Sequence, residues 1–441
     1  MYELVGKWTD ESDPVLVATM FWGRQGRSDE GDSVSRPLGE KVWEHGPAIV
    51  FWSFEVLFGA TTLRTIDIIA GARPNFVKIS PIIRAIESRI RSGSLLRYRL
   101  VHTGQHYDPK MSGDFFEQLG IPAPHENLCV GSGTQAEQAG AIMTRYEALL
   151  GRTRSELCLV VGDVTSTMAC GIVARKLGVP VAHVEAGIRS GDWTMPEEIN
   201  RVVTDSISNL FFTTSEHANE NLLRSGVDPS CIHFVGNTMI DTLLANEARF
   251  SAPDFWQSMG LVQGGYFVLT LHRPSNVDEV QAFSSLLAAV SGAVREMPVV
   301  FPVHPRTAKT LQGVARLPTN LRLVDPQPYL QFNYLVKHAK AVITDSGGIT
   351  EETTVLGIPC MTLRTTTERP ETVSIGTNEL LGVEPAALPP ALDRLFAGRW
   401  KRGAIPPLWD GKAGERIVAV LERDIDRVGG GPPARGSAVR P

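Results

Sequence analysis

Cysteine is scarce and unpaired in this chain. Its five cysteines, Cys129, Cys158, Cys170, Cys231 and Cys360, are scattered through 441 residues with no Cys-x-x-Cys pair. Such spacing offers neither a disulfide framework nor a zinc site, and it fits a reducing cytoplasm. Cys158 and Cys360 fall in apolar runs, where a thiol serves as a small hydrophobe. Long hydrophobic runs are also missing. The nearest candidate, 48–60, is shorter than the roughly 18 residues a spanning helix needs, and Glu55 interrupts it. No membrane partner is therefore expected, and the N-terminus lacks the basic-then-apolar design of a secretory signal. Positive charge is not in excess. The 43 Lys and Arg against 48 Asp and Glu leave a net charge of −5, which argues against a nucleic-acid partner. No Gly-x-Gly-x-x-Gly follows a first strand and no Walker lysine loop occurs, so a nicotinamide or flavin cofactor has no support.

What is present is ordinary globular composition, 43% hydrophobic and 21% charged. A chain of 441 residues exceeds one typical core, so two α/β domains with appendages are the natural division. Residues 1–64 hold four of the eight tryptophans, Trp8, Trp22, Trp43 and Trp52, together with a polar stretch over 23–33. They are expected to be a poorly ordered N-terminal extension. Residues 65–236 and 237–411 read as two Rossmann-like domains and 412–428 as a C-terminal helix. The Gly-, Pro- and Arg-rich end, 429–441, reads as a disordered tail.

In the first half, apolar runs at 66–70, 98–102, 157–161, 179–184 and 210–213 predict strands. Ile79, Ile82, Ile83 and Ile86 mark one face of a helix. The second half repeats the pattern at 266–271, 299–303, 321–324, 341–344 and 360–363. Polar residues fall just past the strand ends. This arrangement indicates parallel sheets whose carboxyl edges hold a ligand, in a cleft between the two domains.

Asp345-Ser346-Gly347-Gly348 ends one strand and opens a helix. Its glycines let the backbone approach a ligand, and the free N–H groups and helix dipole favour a phosphate. A plain turn between a buried strand and a helix would look the same. Asp163, Glu185, Glu197 and Glu198 could act as acid and base on opposite faces of a substrate. Each could instead be a cap or a solvated loop residue, as Asp163 could be for a helix starting near Thr165. Arg73, Lys78, His272, Arg273, His304, Arg306, Arg364 and Arg369 suit a diphosphate if they converge, and are ordinary strand-end residues if they do not. His102 is a candidate for the pocket wall, and His183 for a core or supporting role.

The motifs come in a set order. Gly71-Ala72-Arg73-Pro74, Gly162-Asp163, His183-Val184-Glu185-Ala186-Gly187, Pro196-Glu197-Glu198-Ile199-Asn200-Arg201 and Val235-Gly236-Asn237 are followed by three more. These are Leu271-His272-Arg273-Pro274, Asp345-Ser346-Gly347-Gly348 and Thr367-Glu368-Arg369-Pro370-Glu371. Over about 65–427 the set resembles the non-hydrolysing UDP-N-acetylglucosamine 2-epimerases. The resemblance implies an α/β fold of two Rossmann-like domains facing across a cleft, arranged as in GT-B glycosyltransferases. It implies reversible inversion at C2 between UDP-N-acetylglucosamine and UDP-N-acetylmannosamine, by elimination and re-addition of UDP, with no metal or redox cofactor. Asp163, Glu185 and Glu197 match catalytic carboxylates. His272, Ser346, Gly347 and Gly348 match diphosphate contacts, with His272 counted among the catalytic groups. Arg73 and Arg369 match substrate-binding positions, Lys78 joins them as a basic group, and Glu352 matches a ribose-binding carboxylate. Gln105 and His106 resemble a regulatory segment. A cytoplasmic homodimer supplying a surface polysaccharide is the accompanying expectation.

Two departures stand out. Asn75 replaces an acid that many members carry, and Pro274-Ser275 replaces a common Arg-Glu. The competing readings are a hydrolysing epimerase, which releases free sugar, and a GT-B glycosyltransferase, which uses the same nucleotide cradle.

Overall fold

The computed structural model describes residues 63–104 and 116–429, which belong to one unit, Thr61–Pro441. The expected extension over 1–64, the tail over 429–441 and the Gln105-His106 pair lie wholly or almost wholly outside those residues, although Gly429 still belongs to the last helix. Two parallel sheets form the frame. The first contains β1 (Arg64–Ala70), β2 (Leu96–His102), β3 (Glu126–Asn127), β4 (Leu157–Val161), β5 (Val181–Val184), β6 (Leu210–Thr213) and β7 (Ile232–Phe234). Its strand order is β3-β2-β1-β4-β5-β6-β7. The second contains β8 (Phe267–Thr270), β9 (Val299–Pro302), β10 (Leu321–Val324), β11 (Ala341–Thr344), β12 (Cys360–Thr362) and β13 (Asn378–Leu380), in the order β10-β9-β8-β11-β12-β13.

Both orders reverse beside the first strand of their sheet, between β1 and β4 and between β8 and β11. Parallel sheets need both faces covered, and the apolar residues divide accordingly. Ile66, Ile68 and Ala70 join one core and Ile69 another. Phe267 and Leu269 face one side of the second sheet, Val268 the other. The isoleucines at 79, 82, 83 and 86 are all buried on α1 (Arg73–Arg91), as their spacing predicts. The short strands β3, β7 and β13 have no comparable apolar run and carried no signal in the sequence.

Asn75, near the start of the first helix, does two jobs. Its Oδ1 accepts from the N–H groups of Gly71 and Ala72, each at 3.0 Å, and its Nδ2 donates to the Val161 carbonyl at 3.0 Å. An ionised carboxylate lacks the donor that the second bond needs. The amide thus ties the β1 turn to the end of β4, across the switch point. The last helix, Ala413–Gly429, returns to the first sheet, where Ile417, Val418, Leu421 and Ile425 share the core of β1 and α1. Among the described residues no helix is long and apolar enough to cross a membrane.

Candidate active site

Ligands of open parallel sheets sit beyond the carboxyl ends of the strands at the point where the order reverses. In the first sheet those ends lead to Gly71–Arg73 and to Gly162-Asp163, with Glu185 directly after the neighbouring β5. In the second they lead to His272 and to Ser346-Gly347-Gly348. The two halves meet at Glu185. Its Oε2 accepts from Lys78 Nζ of α1 at 2.5 Å and from Arg369 Nη2 at 3.2 Å. Arg369 also pairs through Nε with Glu351 at 2.7 Å, and Asn237 Nδ2 donates to the same Glu351 oxygen at 2.8 Å.

All members of this chain are buried. Burial alone would raise the Glu185 carboxyl, but Lys78 and Arg369 outweigh it and hold it below the ordinary range. Glu351 goes the other way. Burial, with the Glu185 charge close by, pushes it up despite Arg369. Glu185 Oε1, Glu351 Oε2 and Arg369 Nη1 have no hydrogen-bond partner, so three buried polar atoms lack the bonds such groups normally require. Glu185 also adopts φ 68°, a left-handed conformation uncommon for a residue with a side chain.

Asp163 follows Gly162 at the end of β4. Arg201, on α2 (Pro196–Ile207), donates to its Oδ2 from Nε at 3.0 Å and from Nη2 at 2.5 Å. Its backbone carbonyl accepts from Asn200 at 2.8 Å. The capping role open to Asp163 is not realised, since Val164 is the N-cap of the helix that follows. Glu198 is buried and fully engaged, by Ser190, Gly191 and Arg201. Glu197 is half-buried, and among the described residues it makes no side-chain hydrogen bond or ion pair. Of the two adjacent acids, then, Glu198 braces the loop and Glu197 does not.

On the facing half, Asp345 is buried at the end of β11. It accepts from the N–H groups of His272 and Arg273 and from Asn276, and its Oδ1 lies 2.8 Å from His272 Nδ1. Burial would raise this carboxyl, but the bond to His272 and the other donors hold it low. An ionised Asp345 fixes the imidazole by Nδ1, and the His272 side chain is 46% exposed.

Ser346 is the N-cap of α3 (Gly347–Leu356), and its side chain makes no capping bond. A Cβ at Gly347 would lie 2.6 Å from Glu368 Oε1, so the close packing of that carboxylate accounts for the glycine. Glu368 is itself held by Arg364 at 2.6 Å, and despite its burial Arg364 and Arg369 lower it to about 2. Glu352, one turn into α3, is buried and pushed up to about 7, although Asn333 and Tyr329 hydrogen-bond to it.

Of the three remaining histidines, two are buried in the first half and one stands beside His272. His183 is buried with both ring nitrogens bonded, in keeping with a supporting role. His102 is buried and accepts from the Gly104 N–H at 3.0 Å. His304 is exposed, with its ring 6.5 Å from that of His272. Arg73 stands at the first position of α1. The sequence reading missed Glu351, Arg201 and Asp345 as working parts. Arg201 and Asp345 sit inside quoted motifs and Glu351 three residues past one, but nothing in the order of residues reveals their partners. No group of three or more His, Cys, Asp and Glu residues is placed to hold a metal ion among the described residues.

Comparison with known proteins gives a consistent result. The family model for UDP-N-acetylglucosamine 2-epimerase matches residues 88–422. The UDP-N-acetylglucosamine 2-epimerase of Methanocaldococcus jannaschii is 40% identical over 369 residues, covering 81% of this chain and 98% of the relative. Its crystal structure in complex with UDP-GlcNAc and UDP superposes with a TM-score of 0.74 at 39% identity, covering 81% of this chain and 99% of that one. The UDP-2,3-diacetamido-2,3-dideoxy-D-glucuronate 2-epimerase of Pseudomonas aeruginosa is 38% identical over 318 residues, 71% of this chain and 87% of the relative. The fold is thus the two-domain α/β arrangement expected, with facing Rossmann-like sheets.

Proposed function

Because the chain belongs to the UDP-N-acetylglucosamine 2-epimerase family, we propose that it inverts C2 of a UDP-2-acetamido sugar without hydrolysing it, converting UDP-N-acetylglucosamine to UDP-N-acetylmannosamine and back. In this reading residues 65–236 supply the carboxylates, residues 237–411 hold UDP, and 412–428 close back on the first half.

The observation that carries the reading is the state of Glu185. One of its oxygens is gripped by Lys78 and Arg369, and the other is buried and unbonded. A carboxylate kept ionised, with a free oxygen, inside a water-poor cleft is suited to moving a proton on carbon. Removal of the C2 proton accompanies cleavage of the bond between C1 and the UDP oxygen, leaving a C1–C2 double bond. A proton then returns to the opposite face of C2 as the UDP oxygen re-forms its bond to C1. Two faces require two acid–base groups. Asp163 and Glu185 come from adjacent strand ends, and Glu197 is the unencumbered third.

Departing UDP gains negative charge, which preorganised donors stabilise. The N–H groups opening α3, with Ser346, Gly347 and Gly348, fill that role, and His272, steadied by Asp345, donates or returns a proton at the leaving oxygen. Arg73, Lys78 and Arg369 add positive charge, and Glu352 accepts from the ribose hydroxyls. Gln105 and His106 are proposed to carry regulation, and a cytoplasmic homodimer is the proposed working form.

The Pseudomonas relative is named for a different UDP-2-acetamido sugar, which supports C2 inversion as the shared chemistry and leaves the rest of the ring as the variable. The test is a product analysis with either sugar nucleotide. A mixture of two C2 epimers, both still joined to UDP, is expected. Free sugar with stoichiometric UDP would establish the hydrolysing reaction, and turnover only with an added acceptor would establish glycosyl transfer.

A further inference from the structure

Asp163 and Glu185 sit on two separate turns, and one buried pair of side chains is bonded to both. His183, in the middle of β5, faces oxygen acceptors at each ring nitrogen. Nε2 donates to the Gly162 carbonyl at 2.8 Å, and Nδ1 meets Asp205 Oδ1 at 2.7 Å. The other Asp205 oxygen accepts from the Gly187 N–H at 3.1 Å and from Arg189 Nη1 at 2.6 Å. Gly162 immediately precedes Asp163, and Gly187 follows Glu185 by two residues. Both glycines and Glu185 are left-handed, with φ values of 67°, 77° and 68°. Gly187 has no alternative, since a Cβ there would lie 2.3 Å from the Ala218 carbonyl oxygen.

We propose that His183 and Asp205 form a clamp that sets the two carboxylate-bearing turns against each other, acting as positioning residues for Asp163 and Glu185. The proposal rests on the acid–base reading above. Core packing alone would be served by an apolar side chain at either position. Instead the pair is buried, and beyond the bond between its two members its hydrogen bonds go to the two turns and to Arg189. Asp205 remains ionised. Burial would raise it, but His183 and Arg189 outweigh that effect. A donor lost at Gly162 frees the peptide that carries Asp163, and a shift of about 1 Å in a reacting group costs on the order of 100-fold in rate.

Two replacements of His183 separate positioning from packing. His183→Gln places an amide donor where Nε2 stood and keeps the bond to Gly162. His183→Asn reaches only as far as Asp205 and loses it. The readouts are exchange of the C2 proton with solvent under saturating UDP-sugar, the KM, UDP affinity and the melting temperature. His183→Asn is expected to lower kcat by about 100-fold with UDP affinity within about twofold of the parent, and His183→Gln to recover about tenfold of that loss. If His183→Asn does not fold, Asp205→Asn replaces it. It weakens the hold on Gly187 and Arg189, with a loss of about tenfold in kcat expected at unchanged UDP affinity. Equal effects of Gln and Asn, unchanged kcat, or a parallel fall of kcat and UDP affinity would overturn the clamp. Absence of C2 exchange in the unaltered protein is a different result and would strike the epimerase reading itself.

Discussion

Arg369 Nη2 lies 3.2 Å from Glu185 Oε2, joining the residue that opens the helix Pro370–Ser374 in the second half to the residue just after β5 in the first. The contact is buried on both sides. With Lys78 and Glu351 it makes an ionic chain running from α1 to α3. Taking one partner from such a chain strands the others without compensation, which costs about 3–5 kcal/mol. Arg369→Met is expected to lower the unfolding free energy by that amount in urea titration, and to abolish C2 turnover. A loss below about 1 kcal/mol would mean that the chain is not buried in solution.

Asp163 and Glu185 are each bonded to cations through one oxygen. Asp163→Asn and Glu185→Gln preserve shape and remove the ability to shuttle a proton. Each is expected to reduce kcat by about 100- to 10,000-fold while UDP affinity changes by no more than about threefold. Single-turnover kinetics with calorimetric UDP titration checks both quantities. Loss of UDP binding along with turnover would point to a collapsed site instead.

The opening of α3 has no room for a methyl group on the side facing Glu368. Gly347→Ala should therefore weaken UDP binding by about tenfold, or about 1.4 kcal/mol. Adding Glu368→Asp, which draws the carboxylate back from the 2.6 Å collision, should restore part of it. An alanine variant that binds UDP as the parent does would place the diphosphate elsewhere.

A pH effect is expected well away from this chemistry. Asp241 Oδ2 accepts from the Gly414 N–H at 2.7 Å, at the start of the last helix, while Oδ1 is buried without a partner. Burial raises this carboxyl to about 6 from an ordinary 3.8. With the folded value above the unfolded one, its contribution to stability is complete below about pH 4 and is lost as pH rises through 6. The total is on the order of 3 kcal/mol. Asp241→Asn keeps an acceptor for Gly414 and does not titrate. Relative to the parent, it should gain stability between pH 4 and 7 by an amount of that order, with activity unchanged. Parallel stability–pH curves for the two proteins would contradict this.

Much of the frame is legible in the sequence, because parallel strands buried on both faces are short apolar runs. The runs at 157–161, 210–213, 321–324 and 341–344 coincide with β4, β6, β10 and β11. The position of the chemistry is legible for the same reason, since polar residues at strand ends mark the carboxyl edges. The pairings are not. Lys78, Glu185 and Arg369 are separated by more than 100 residues at each step, and only the facing of the two sheets brings them together. Glu351 and Glu352 illustrate the limit at close range. They are neighbours in sequence, yet a helical turn of about 100° sends one to Arg369 and Asn237 and the other to Asn333 and Tyr329. Asp205 lies in no quoted motif, and its bonds to His183 and Gly187 appear only once β5 and the helix Pro196–Ile207 are packed.

The central claim is that a proton leaves and re-enters C2 while the sugar remains a UDP-sugar. Incubation with UDP-N-acetylglucosamine in D2O, followed by NMR of the UDP-sugar pool, tests it directly. Deuterium at C2 in both the gluco and the manno epimer, with UDP still attached, is the predicted result. A pool that keeps its C2 protons, or deuterium found only in free sugar beside stoichiometric UDP, would contradict the account.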